Sequence, residues 1–401
     1  MVSVLTRLFG VHNFALAEDS VQDAFCRAVE VWKFKGVPDN PSAWLMAIAK
    51  NRALDVLRRQ RTARNYAPEF GRLLESEWTL APVVEEQFSE TAIKDGVLRM
   101  MFSCCQPRLP EEAQVGLVLH ILCGFSVGEV AGAFMSTHAA VEKRITRSKK
   151  VLAESKRLFD LANATEFAER LPAVHRVLYL LFNEGYHGAS AVAAVRGELC
   201  REAMRLTALL IEHPLGKTPA THALAALMCL NAARLPTKVD SLGNLNSLSD
   251  QDRSRWDQKL IGEGLALLEL SAAGSELTAY HIEAAIGAAH GRAARAEDTD
   301  WSAIVALYDT LMALHPSPVV ALSRAIAVAQ RDGPDRGLAE LAGIDGAERL
   351  EKYPFYLATL GELELRRGRN EIAREHFRTA IKLGRNPMER RFLELRLQAC
   401  R

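Results

Sequence analysis

The chain has 401 residues, 49% hydrophobic and 25% charged side chains, a formal net charge of +1 and seven cysteines. That length suffices for two or three domains with real cores, and the charge balance excludes polyanion binding through net charge, so local patches must carry any such role. No apolar run is long enough to span a bilayer and no secretory signal precedes the cysteines, which predicts a cytoplasmic protein with reduced thiols and no membrane partner.

Ala, Leu, Arg and Glu dominate and sustained β-branched alternation is missing, so the fold class is all-α. Four parts follow in chain order: a helical domain over 1–64, an acidic linker over 65–90, a smaller helical domain over 91–159 and a long helical extension over 166–401. In the first domain, Ala17 to Trp32 has the helical period, with Ala17, Val21, Ala24, Phe25, Ala28, Val29 and Trp32 expected inward. Asp19, Gln22, Asp23 and Cys26 share another face, suited to a protein partner. The next helix turns Trp44, Leu45, Ile48, Ala49, Leu54 and Leu57 inward and ends in a basic run, Arg58, Arg59, Arg61 and Arg64, read as phosphate contacts or as a solvated helix end.

The linker holds Pro68, Pro82 and the carboxylates Glu69, Glu75, Glu77, Glu85, Glu86 and Glu90, a composition that predicts an acidic, disordered spacer. In the second domain, Cys104, Cys105, His120 and Cys123 lack C-x-x-C spacing, and adjacent cysteines point different ways on a helix; they are read as small core hydrophobes, with no metal and no cofactor. The domain ends in a helix-turn-helix pattern. Phe125 to Phe134 is the first helix, capped by Ser126, with Val127, Val130, Ala131 and Phe134 buried. After the turn Met135-Ser136-Thr137, where Ser136 or Thr137 caps, His138 to Leu152 is the recognition helix, with Val141, Ile145 and Ser148 inward. Glu142, Lys143, Thr146, Arg147 and Lys150 face outward, with Arg144 counted among the candidate DNA contacts.

These motifs resemble the bacterial sigma-70 family, in particular its extracytoplasmic-function (ECF) group. Ala17-Glu18-Asp19, Gln22-Asp23 and Phe25 match the family's AED-x-x-Q-[DE]-x-F helix. Trp44-Leu45, Ile48-Ala49, Asn51, Asp55 and Leu57-Arg58 match W-L-x-x-I-A-x-N-x-x-x-D-x-L-R. Val141, Arg144, Ile145, Arg147, Ser148 and Lys149 match the family's second DNA-binding helix, in the expected order after an acidic linker. The resemblance implies that Asp19, Gln22 and Asp23 contact the β′ clamp helices of RNA polymerase core and that the second domain meets the β flap. It implies that Phe34, Asn51, Arg58, Arg59 and Arg61 meet promoter DNA at the −10 element, and that Glu142, Lys143, Arg144, Thr146, Arg147 and Lys150 meet the −35 element. It places Asn51 at a pocket for a flipped −10 base; the alternative is a plain surface residue. Phe34, in the loop Lys33 to Asn40 that corresponds to the family's specificity loop, has two readings: stacking on a base, or plugging the core. By the same resemblance, the linker threads the polymerase cleft and RNA exit path. The amino end looks short, since only Val2 to Phe9 precedes the AED helix, and this is read as a late start or a truncated first helix, either of which weakens polymerase binding.

The extension opens with Leu178 to Tyr186 followed by His187-Gly188-Ala189-Ser190, similar to the signature of an ECF subgroup with a long carboxy-terminal extension. A helix ending at Gly185 accounts for that glycine. Farther on, a period of about 34 to 35 residues resembles a degenerate tetratricopeptide (TPR) array. Leu360, Gly361, Ala373, Phe377 and Ala380 fill its positions, and Glu364 replaces an expected aromatic. Gly291, Trp301, Ile304, Tyr308, Leu311 and Pro316 fall roughly in step two periods earlier. Such an array offers a groove to a protein partner or an intramolecular contact; the alternative is a structural cap. No P-loop, G-x-S-x-G or H-E-x-x-H occurs, His281 and His290 lack a metal spacing, and His175, Tyr179 and Glu184 read as satisfied helix polar groups. The expected function is therefore a non-enzymatic ECF-type sigma factor regulated by its extension. The runner-up is a helix-turn-helix regulator that acts without polymerase core and whose extension senses a ligand or partner.

Overall fold

The computed structural model describes residues 1–9, 13–38, 40–63, 95–134, 136–153, 164–187 and 195–400. The acidic linker, Met135 of the turn, Arg64 and Gly188-Ala189-Ser190 lie outside the described residues. Among the described residues the chain is all-helical, with one isolated β-bridge between Val239 and Leu245. It forms two compact units: Met1–Val177 with His213–Leu215, and Leu178–Glu212 with Gly216–Arg401.

The first unit begins with α1 (Val2–Phe9), α2 (Phe14–Lys35) and α3 (Pro41–Ala63). Leu5 and Phe9 of α1 join Ala17, Val21, Ala24 and Ala28 of α2 and Leu45, Ala49 and Ala53 of α3 in one core. Alanines at four- and seven-residue steps let α2 and α3 approach closely, and the Trp32 and Trp44 rings, 5.5 Å apart, extend the seam. Gly36 ends α2 at φ +77°, a conformation that favours glycine, while its N–H donates to the Trp32 carbonyl. Phe25 and Val29, expected inward, are 51% and 75% exposed. At about 100° per residue they lie beside the narrow stripe of positions 17, 21, 24 and 28 rather than within it.

The same unit continues with α4 (Gly96–Cys104), α5 (Glu111–Ile121), α6 (Val127–Ala133) and α7 (His138–Ala153). The Asp95 carboxylate caps α4 by accepting from the amides of Val97 and Leu98. Phe102, Leu119, Phe125, Val130, Val141 and Ile145 are buried. Cys104 and Cys105 are fully buried, and burial pushes the Cys104 thiol up to about 12 and raises that of Cys105 well above its ordinary value, which keeps both protonated. The unit does not stop near 159. The first half of α8 (Ala164–His187) belongs to it, with Phe167 stacked at 4.3 Å on Phe102 and at 4.7 Å on His213. Arg170, itself buried, donates to the Phe102 carbonyl at 3.1 Å and pairs with Glu166 at 3.2 Å.

The second unit takes the rest of α8 and then α9 (Gly197–Glu212), α10 (Pro219–Ala232), α11 (Leu235–Lys238), α12 (Gln258–Ser271) and α13 (Ala279–Arg292). After these come α14 (Trp301–Leu314), α15 (Pro318–Asp332), α16 (Pro334–Ala342), α17 (Pro354–Arg366), α18 (Asn370–Leu383) and α19 (Pro387–Gln398). Apolar α10 is buried on almost every side and packs against α9, α12 and α13. From α14 onward each helix packs chiefly on its chain neighbours. The α17–α18 pair shows why small and large residues alternate: a Cβ on Gly361 would stand 3.0 Å from the Phe377 ring, and Ala373, Phe377 and Ala380 are all buried. Glu364 is nearly buried and neutralised by Arg367 at 3.3 Å and Arg369 at 3.9 Å, so a salt bridge fills the place of the expected aromatic.

Candidate functional site

The outer surface of α2 carries two adjoining rows. Asp19, Gln22, Asp23 and Cys26 are exposed, as their shared spacing predicts. Asp23 accepts from Arg52 Nε of α3 at 2.6 Å, with both side chains about half exposed. An exposed pair of this kind adds little stability. Its consequence is positional, since it brings the acidic row of α2 against the segment of α3 where Asn51, also exposed, precedes Arg52. Arg58, Arg59 and Arg61 continue along α3, and their side chains lie outside the described part. Phe34 does not plug the core: it is 82% exposed, with Lys33 Nζ 5.8 Å from its ring centroid.

The second row is Glu18, Gln22, Phe25 and Val29, at helical steps of four, three and four. Phe25 and Val29 are thus two large apolar side chains exposed beside polar ones on one stripe. The sequence pattern assigned them to the core because they border it. The same stripe meets α7, where Lys149 donates to Glu18 at 2.7 Å and both side chains are largely sheltered.

α6 and α7 are the two helices that the pattern predicts, and their starts carry the expected caps. Ser126 caps α6, its Oγ accepting from the Glu129 amide while Glu129 accepts in return from the Ser126 amide. Thr137 Oγ1 accepts from the Ala140 amide at the start of α7. Val141, Ile145 and Ser148 are buried, and Glu142, Lys143, Thr146, Arg147 and Lys150 are exposed along one outer face. Arg144 departs from that set. It is partly sheltered and paired at 3.0 Å with Glu112 of α5, so it clamps α7 to its own domain instead of projecting with the outer stripe.

In the second unit, the Asn-Glu-Gly-Tyr segment is also placed by packing. α8 runs on to His187, so Gly185 is not a helix end. A Cβ there would lie 2.8 Å from the Arg196 carbonyl and the Cys200 amide, and the Gly185 carbonyl accepts from the Arg196 amide at 2.7 Å. Close backbone approach therefore requires the glycine. Next to it Lys238, buried, stands 3.8 Å from the Tyr186 ring centroid and 3.3 Å from His187 Nδ1. Burial first, then Arg234, lowers the Lys238 ammonium to about 7. Arg253 donates to the carbonyls of His290 and Ala293, each at 3.1 Å, and to Thr299 Oγ1 at 2.9 Å. Tyr179 donates to Glu283 at 3.0 Å. Groups of this kind tie helices together through satisfied buried bonds. Among the described residues no cluster of three or more His, Cys, Asp or Glu has a metal-binding arrangement, and no helix is long and apolar enough to cross a membrane.

Comparison with known proteins assigns parts of this architecture. Residues 1–63, the span of α1 to α3, match the family model described as Sigma-70 region 2. Residues 170–272 match a family of unknown function. An uncharacterized protein of Rhizobium meliloti (strain 1021) is 37% identical over 396 residues, covering 99% of this chain and 92% of its own length. The helices α6 and α7 lie outside both family matches.

Proposed function

We propose that this chain, which belongs to the sigma-70 family, is an ECF-type sigma factor: it joins RNA polymerase core, brings it to promoters and leaves the chemistry to the polymerase. The observation that carries this reading is the junction on α2 and α3, where Asp23 of the exposed Asp19, Gln22 and Asp23 row pairs with Arg52, the residue after exposed Asn51. A polymerase-facing row and a base-facing row then act from one rigid helix pair. Exposed Phe25 and Val29 extend the polymerase contact, since apolar anchors next to charged residues make efficient interface centres.

The test is core binding. Asp19→Lys with Asp23→Lys is expected to lower affinity for core polymerase roughly tenfold or more, because reversed charges meet a complementary surface. Helicity should stay unchanged, as both side chains are exposed. Unaltered affinity removes the assignment, and core-independent promoter control would favour a free-standing helix-turn-helix regulator.

Asn51 has the donor and acceptor needed to read the edge of an extruded base. Asn51→Ala is expected to leave closed-complex formation near normal and to reduce permanganate reactivity of −10 thymines; normal melting would count against the role. On α7, Arg147→Ala is expected to cost about 1–3 kcal/mol at a preferred −35 sequence if Arg147 reads a base, and to weaken all sequences equally if it meets phosphate. Binding across a panel of −35 variants separates these outcomes, and wild-type binding throughout would sink both.

The helix pairs from α13 to α18 support a TPR-like reading of the extension, which acts on the sigma function within the same chain. A covalently attached unit is present at high effective concentration, so a weak contact suffices to regulate.

A further inference from the structure

α9 and α12 both pack on α10, and between them the surface is open. The cleft has a volume of about 570 Å³. Its floor is Ala225, Met228 and Cys229 of α10, and its walls are Met204 and Ile211 of α9 and Leu267 of α12. Small residues keep it open: Ala225 on the floor and Ala208 on the α9 wall leave space that larger side chains would fill in a closed core. Clefts of this size and apolar character are typical of small-molecule sites.

The polar groups around the cleft narrow the class of ligand. Thr207 Oγ1 is spent on the Ala203 carbonyl at 2.7 Å. Burial pushes the Cys229 thiol up to about 12, so it presents a neutral, apolar surface. At the rim, Arg205 is chelated by both oxygens of Glu202, at 2.7 and 2.8 Å, and Glu263 faces Lys259 at 3.9 Å. Arg201 is exposed at the rim and, among the described residues, forms no ion pair with a carboxylate; Glu212, the exposed carboxylate that also lines the cleft, sits at the other end of α9, about 16 Å along the helix. An apolar body would therefore lie over Met228 and Leu267, with one anionic head at Arg201.

We infer that this cleft binds a small amphipathic monoanion, a carboxylate with a flexible or flat apolar body. At about 30 Å³ per water-sized group, the cleft accommodates roughly 19 non-hydrogen atoms. The site belongs to the extension, and its test does not involve polymerase, so its failure would leave the sigma-factor reading untouched.

The experiment uses the full chain and isothermal titration with dodecanoate, dodecanol and dodecylamine below their micellar concentrations. Dodecanoate is expected to bind at one site per chain, more tightly than dodecanol and far more tightly than dodecylamine. Arg201→Gln should weaken dodecanoate roughly tenfold and leave dodecanol unchanged, because one charge-assisted bond is lost. Ala208→Trp, at an exposed position, should fill the cleft and abolish binding of both without changing the far-ultraviolet circular dichroism. Lack of saturable dodecanoate binding, dodecanoate binding unchanged in Ala208→Trp, or tighter binding of the amine than of the acid would each overturn the proposal.

Discussion

Phe167→Ala is expected to destabilise the first unit by about 3–5 kcal/mol, the cost of emptying a buried aromatic site. The ring is 2% exposed and stacked between Phe102 and His213, which hold it on both sides. Beside it Arg170 bonds the Phe102 carbonyl, so the start of α8 closes the core over α4. Hydrogen exchange reads the effect locally, through faster exchange of amides in α4 and α5. Wild-type protection in those helices would refute this account of the core. The same contacts bear on how the extension's role is tested. A chain cut near residue 160 loses Phe167 and Arg170 together, so loss of transcription in it would report a damaged DNA-binding unit. A cut just after Val177 keeps both residues but still removes His213–Leu215 of the same unit, so transcription from that shorter chain is read together with hydrogen exchange in α4 and α5.

That boundary was hidden in the sequence for a physical reason. α8 is one continuous helix, and nothing in its composition marks where its contacts pass from one core to another. Elsewhere the local signals sufficed. The alanine stripe of α2, the Ser126–Glu129 capping box and the Val141–Ile145–Ser148 face are set by residues a few positions apart, and the structure has them as the pattern predicts. Two of the departures come from tertiary partners. Arg144 shares the pattern of an outward helix residue but meets Glu112 from another helix. Gly185 looks like a helix stop and is instead a site of close approach to Arg196 and Cys200. Phe25 and Val29 carry the composition of a core and the angular position of a flank, which suits a surface whose partner is another chain. The candidate site was thus legible as helix faces, whereas the Asp23–Arg52 and Glu18–Lys149 pairs that organise it were not.

Acid should weaken both units well before carboxylates protonate, and the histidines give the sign. Burial lowers His175 of the first unit to about 4. Burial, with Arg234 and Arg253, lowers His290 of the second to about 3. Each is neutral in the folded chain and has an ordinary value near 6.5 when unfolded. Below that value the unfolded state takes up a proton that the folded state refuses, so stability is fully present above it and falls as pH drops toward the folded values. Between pH 7 and pH 5 each histidine is expected to remove about 2 kcal/mol. Lys238 acts in a window above pH 7, and the buried thiols act above their ordinary value of 9.0, so neither obscures this range. His290→Leu is the discriminating variant. Its Nδ1 makes no hydrogen bond and its ring packs edge-on against Trp301 at 5.3 Å, so leucine removes the titration while keeping an apolar filler. The Arg253 bond is to the backbone carbonyl of His290 and survives the change. Urea unfolding of the second unit at pH 7 and pH 5 should show the acid loss reduced by about 2 kcal/mol in His290→Leu. An identical loss in both proteins would show that His290 is protonated in the folded chain and that its burial between α13 and α14 does not govern the acid response.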